Sequence, residues 1–160
     1  MGSKFFTNNV TQLLNTLLNL NPMTLSFLKG GEEQITSRQL AIRAAKLAAD
    51  KKGIAIAVLD LRKLTEFTEF FVLCSGDSDT QVRAIAEYLS QTLKSEYNTK
   101  CFHREGYEFG HWIILDYGSV VVHILDPESR EYYELERLWG DAPVIHGHIP
   151  DLANPEWKLS

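Results

Sequence analysis

The chain has 160 residues, 44% of them apolar and 23% charged, with a formal net charge of −5. That length supports one domain with its own core, and no apolar run approaches the roughly 18 residues a membrane span needs. The acidic balance argues against generic phosphate-backbone binding, which needs clustered Lys and Arg. Yet the charge is uneven: Arg38 to Lys52 holds five bases and one acid, whereas Glu105 to Asp141 holds nine acids and two bases. A basic helix and an acidic, aromatic face are therefore expected on one domain. Such a face suits a basic protein partner better than a nucleic acid.

Residues 1–34 are read as a poorly ordered extension. Between Met1 and Gly31 the only charges are Lys4 and Lys29. The run TQLLNTLLNLN is too interrupted by Asn for a signal peptide, a transit peptide would be richer in Arg and Ser, and Met23 offers an alternative start. From Ile35 the periodicity becomes structured. Thr36 or Ser37 caps a helix with the apolar stripe Leu40, Ala44, Leu47 and Ala48, closed by Gly53. IAIAVLDL (Ile54 to Leu61) and FFVLCSG (Phe70 to Gly76) read as strands buried on both faces. Ser78 and Gln81 form a capping box that starts a helix from Asp79 to Tyr97, with Val82, Ile85, Ala86, Leu89 and Leu93 inward.

A short strand is expected around Lys100 to Arg104. His111 to Tyr117 and Val120 to Leu125 then flank Gly118-Ser119 as a hairpin. Asp126, with Pro127 after it, starts a last helix. On that helix Tyr132, Leu135, Leu138 and Trp139 share a core face, Tyr133 points away from it, and Gly140 ends it. The stretch after Asp141 carries three prolines and no apolar period, so residues 144–160 are expected to form a tail lying over the surface or loose. The sum is an α/β domain over residues 35–143, a mixed β-sheet flanked by helices.

Chemistry is sparse. Cys74 and Cys101 form no CxxC pair and read as reduced thiols in or near the core. His146 and His148 lack the further ligands of a metal site, and His123 in VVVHIL reads as a hydrogen-bonded, half-buried histidine. SGDSD (Ser75 to Asp79) sits at a strand-to-helix turn where phosphate could bind, so a small nucleotide-binding transferase is one alternative. Its chemistry needs two carboxylates at i and i+2 on a following strand to hold Mg²⁺, and here IAEYL on a helix supplies one acid. Asp77, Ser78 and Asp79 are better read as capping and first-turn groups. No GxSxG elbow is present. In the strand from His111 to Tyr117, a period of two puts Trp112, Ile114 and Asp116 on one face and Ile113, Leu115 and Tyr117 on the other. Trp112 reads equally as core or as an exposed anchor beside the Asp116 carboxylate.

TEFFVLCSGDSDTQVRAIAEYL (Thr68 to Leu89), REG (Arg104 to Gly106) and WIILDYGSVVVHILDPESREYYELERLWGDAP (Trp112 to Pro143) closely resemble the ribosomal silencing factor family, also called RsfS or Iojap. The resemblance covers roughly Ile35 to Pro143. Family members often carry Asp where Ser119 and Glu69 stand. The resemblance implies a nucleotidyltransferase-like fold without the catalytic carboxylates, hence no enzymatic activity and no cofactor. It implies binding to the large ribosomal subunit through its L-fourteen protein, which excludes the small subunit and lowers translation under nutrient limitation. The family's binding strand maps onto Trp112 and Asp116, and Tyr117, His123, Arg130 and Tyr133 also match its motif. A cytoplasmic location is implied, or the stroma or matrix of an organelle, with no membrane contact and no sequence-specific nucleic-acid binding. A homodimer is a further expectation for so aromatic a strand. Trp112→Ala or Asp116→Lys is expected to weaken binding with folding nearly unchanged.

Overall fold

A computed structural model describes residues 34–159. The expected extension over residues 1–34, apart from Gln34, lies outside them. Helix α1 spans Ser37–Asp50, and Thr36 starts it with a true capping box: Gln39 N–H donates to Thr36 Oγ1, and the Gln39 side chain accepts from Thr36 N–H. Its inward stripe is rich in alanine (Ala41, Ala44, Ala45, Ala48), so the helix axis can lie close to the sheet.

The described residues form six strands, β1 (Ile54–Asp60), β2 (Phe70–Ser75), β3 (His103–Glu105), β4 (Trp112–Asp116), β5 (Val120–Leu125) and β6 (Val144–Gly147). They are ordered β3-β4-β5-β2-β1-β6 across one sheet. All neighbours are antiparallel except β2 and β5. That parallel pairing follows from the chain path: helix α2 (Asp79–Tyr97) carries it across the sheet before the β4–β5 hairpin returns to β2. The α2 bounds agree with the sequence expectation. Its start differs in one detail, because Ser78 Oγ accepts from Gln81 N–H but the Gln81 side chain does not return to Ser78. It accepts from Asp77 N–H instead and donates to the Lys51 and Lys52 carbonyls, tying the start of α2 to the end of α1.

The two faces of the sheet are unequal. Helices α1 and α2 cover one face, packing on Val58, Phe70, Val72, Cys74, Ile113, Leu115, Val120, Val122 and Ile124. The opposite face holds a smaller core of Leu59, Leu61, Leu73, Leu125, Leu135 and Ala142, with Phe71, Trp112, Trp139 and Ile149 at its margin.

Two expectations fail on that second face. The single last helix is broken: α3 runs Pro127–Tyr133, Glu134 adopts a left-handed conformation (φ 47°), and α4 covers Leu135–Leu138. The break rotates the following residues, so Leu135 stays buried while Tyr132 and Leu138 are 80% and 73% exposed. The tail is not a loose cover either. Val144–Gly147 is the edge strand β6 paired to β1, and Pro155–Leu159 forms a 3-10 turn that buries Trp157. Backbone pairing needs no apolar period in so short an edge strand, which is why composition did not reveal it. Among the described residues no helix is long and apolar enough to cross a membrane.

Candidate functional site

Strand register builds one face residue by residue. Asp116 lies opposite Val121, which lies opposite Phe71; Ile114 lies opposite His123, which lies opposite Leu73; Trp112 lies opposite Leu125. Leu73, Leu125 and His123 are buried on this face, Leu73 and Leu125 in the core they share with Leu135 of α4. Trp112, Ile114, Asp116, Val121 and Phe71 are each half-buried. The result is an apolar strip ending in a carboxylate, with Trp112 and Asp116 roughly 13 Å apart at about 3.3 Å per residue.

Trp112 is fixed from two sides. Its Nε1–H donates to His123 Nδ1 at 3.1 Å, and its ring lies 4.6 Å from Tyr133 between centroids. Tyr133 is 51% exposed and makes a T-shaped contact with Tyr132 at 5.0 Å. Three aromatic rings thus climb from the sheet onto α3. His123 is buried, and burial together with the nearby Arg130 charge pushes its pKa down to about 4. The imidazole is therefore neutral, and because Nδ1 accepts from Trp112 its proton sits on Nε2. Trp112 is neither plain core nor a free anchor. It is a braced one, so Trp112→Ala is expected to cost stability as well as binding.

At the other end, Asp116 accepts from Gly118 N–H at 2.7 Å and so shapes the hairpin turn, where Gly118 has φ +81°. Gly106 of the REG segment guards the Trp112 end. It has φ +80°, and a Cβ there would sit 1.9 Å from the Trp112 carbonyl oxygen.

Two residues matched to the family motif face elsewhere. Tyr117 has the parity of Ile113 and Leu115 and is buried under the helix layer, where burial pushes its hydroxyl pKa up to about 12. Arg130 is 1% exposed. Its guanidinium forms an ion pair with Glu136 and donates to Ser75 Oγ at 3.0 Å and to the Ala55 carbonyl at 2.8 Å. Neither can touch a partner docked on the strip. Ile114, which sequence parity put on the face of Trp112 and Asp116, belongs to the strip together with Val121 and Phe71, which sequence reasoning missed. Val121 and Phe71 needed the cross-strand register.

The Ser75-to-Asp79 turn opens on a separate cleft of about 420 Å³ lined by Asp77, Asp79, Asp126, Glu128 and Glu131, with His111 and Lys158. Lys158 pairs with Glu131, and His111 Nδ1 lies 2.7 Å from Asp126. The Arg83 hydrogen bond holds Asp79 below the usual carboxylate range. Burial raises the Asp126 pKa, but hydrogen bonds from Ser129 and His111 outweigh it and leave Asp126 low as well. A cleft lined by five carboxyl side chains repels a phosphate chain rather than cradling it. Among the described residues no group of three or more His, Cys, Asp or Glu side chains is placed to hold a metal ion.

A mixed six-stranded sheet with one helix-covered face, and a half-buried aromatic strip on the other, defines a small α/β protein. Residues 34–158 match the family described as ribosomal silencing factor during starvation. The chain belongs to the ribosomal silencing factor family, RsfS. It is 39% identical over 107 residues to the ribosomal silencing factor RsfS of Halalkalibacterium halodurans, covering 67% of this chain and 88% of that protein. It is also similar to the chloroplastic protein Iojap of Arabidopsis thaliana, with 29% identity over 124 residues covering 78% of this chain and 51% of that protein. A crystal structure of a Chromobacterium violaceum protein superposes with a TM-score of 0.61 at 37% identity, covering 74% of this chain and 90% of that one. The match to residue 158 takes in β6 and the final turn, beyond the Pro143 limit of the sequence resemblance.

Proposed function

We propose that this chain binds the large ribosomal subunit through its L-fourteen protein, using the open strip of Trp112, Ile114, Asp116, Val121 and Tyr133. Occupancy of that face excludes the small subunit and lowers translation under nutrient limitation. The observation that carries the reading is the strip itself: half-buried aromatic and aliphatic groups beside a carboxylate, on the sheet face opposite α1 and α2. Ribosomal proteins are generally basic, so the acidic Glu105-to-Asp141 region steers and orients the encounter, and Trp112 with Tyr133 supplies buried area. Action by occupancy needs no turnover and no cofactor. The fold is read as nucleotidyltransferase-like without the paired metal-binding carboxylates, and the charge of the Ser75-to-Asp79 cleft disfavours the nucleotide-binding alternative. Action on ribosomes places the protein in a bacterial cytoplasm, or in the stroma or matrix of an organelle.

Co-sedimentation with isolated large subunits tests the reading. Wild type is expected in the subunit peak, and Asp116→Lys is expected to leave it. Wild type that stays at the top of the gradient at saturating concentration would overturn it. A homodimer burying the same strip would compete with the subunit, which gel filtration with and without large subunits reads directly.

A further inference from the structure

Arg130 and Glu136 form a buried ion pair whose contacts span four elements. Arg130 lies on α3 and Glu136 on α4, on either side of the left-handed break at Glu134. The guanidinium also reaches Ser75 at the end of β2 and the Ala55 carbonyl on β1. That carbonyl is available because Ala55 is itself left-handed (φ 50°) and the β1–β2 register slips between Ile54 and Ala57. A bulge turns one carbonyl out of the ladder, and Arg130 fills the vacancy. Glu136 Oε2 is buried with no hydrogen-bond partner, so the pair is not an optimised stability device. Neither Glu134 nor Ala55 favours a left-handed conformation by itself; the three-way contact holds both.

The geometry points to Arg130 and Glu136 as positioning residues for the docking strip: by locking the α3–α4 break onto the β1 bulge and the β2 end, they set Tyr133 against Trp112 in the geometry a partner meets. Tyr133 immediately precedes the break, so releasing Glu134 would swing its ring away from Trp112. This rests on the docking role proposed for the strip.

Two variants test it: Glu136→Gln, and the apolar replacement Arg130→Met with Glu136→Leu. Each is labelled with fluorotryptophan, and the Trp112 resonance is assigned by its loss in Trp112→Phe. Measurements are made at a temperature where circular dichroism shows each variant fully folded. The expected result is a displaced or broadened Trp112 line together with large-subunit binding weakened about tenfold, a factor equal to about 1.4 kcal/mol. Lowered melting temperatures with an unmoved Trp112 line and unchanged binding would overturn the proposal, because that is what a merely structural pair gives. If wild type itself fails to bind subunits, the docking reading falls, and the Trp112 line alone then decides whether the pair positions the strip. Should the double variant not fold, Glu136→Gln carries the same two readouts.

Discussion

Trp112 offers the sharpest perturbation, because two substitutions separate its contacts. Trp112→Phe keeps an aromatic ring against Tyr133 but deletes the N–H that His123 Nδ1 accepts at 3.1 Å. His123 is only 6% exposed, so its orphaned nitrogen gains little from water. An unsatisfied buried acceptor costs about 1–3 kcal/mol, and the low end applies because a neutral ring at the edge of the core has room to adjust. The expected loss for Trp112→Phe is about 1.5 kcal/mol. Trp112→Ala also loses the ring pair with Tyr133, worth about 0.5–1.5 kcal/mol beyond area, and part of a half-buried indole; about 3 kcal/mol is expected in total. Urea unfolding followed by circular dichroism measures both. A Trp112→Phe protein as stable as wild type would refute the hydrogen bond as a stabilising contact. A double-mutant cycle with His123→Leu isolates it, with a coupling of about 1 kcal/mol expected.

Further outcomes follow from the same geometry. His123 has a folded-state pKa of about 4 against about 6.5 unfolded, so between those values the unfolded chain binds the proton and the native state does not. Its contribution is fully present above pH 6.5 and lost on acidification; wild type should lose about 2 kcal/mol more than His123→Phe between pH 7 and pH 5, measured by urea titration. Equal slopes would show that His123 charges freely in the native state. Asp116→Lys should weaken large-subunit binding by about 1–3 kcal/mol, with a folding cost near 1 kcal/mol from the lost Gly118 contact; filter binding and urea unfolding separate the two, and unchanged affinity would remove Asp116 from the site. Gly106→Ala forces a Cβ against the Trp112 carbonyl at positive φ and should lower stability by at least about 1–2 kcal/mol. A wild-type melting temperature would show that the REG turn is free to move.

Much of the layout was legible because local chemistry and tertiary demand coincide. Ser78 and the Val82-to-Leu93 stripe set the bounds of α2, and period-two alternation around Gly118-Ser119 placed the hairpin and the parity of Trp112 and Asp116. The misses share a physical cause. Glu134 carries no left-handed preference, and the Arg130–Glu136 pair that flanks the break is anchored on the Ala55 carbonyl, 75 residues from Arg130 in sequence. The same remoteness made Arg130 look like a surface contact when it is 1% exposed. Tyr117 matched the motif but has the parity of the buried face, so its position in the sheet overrides its place in the pattern. Val121 and Phe71 join the strip only through cross-strand register, which one strand's sequence does not contain.

The central claim is that this domain acts by occupying a face of the large subunit. The most direct measurement adds purified protein to separated large and small subunits and follows joined ribosomes by light scattering. Wild type should suppress joining in proportion to its occupancy of the large subunit, and Trp112→Ala, assayed where it is fully folded, should not. Undiminished joining with the large subunit saturated by wild-type protein would contradict the account.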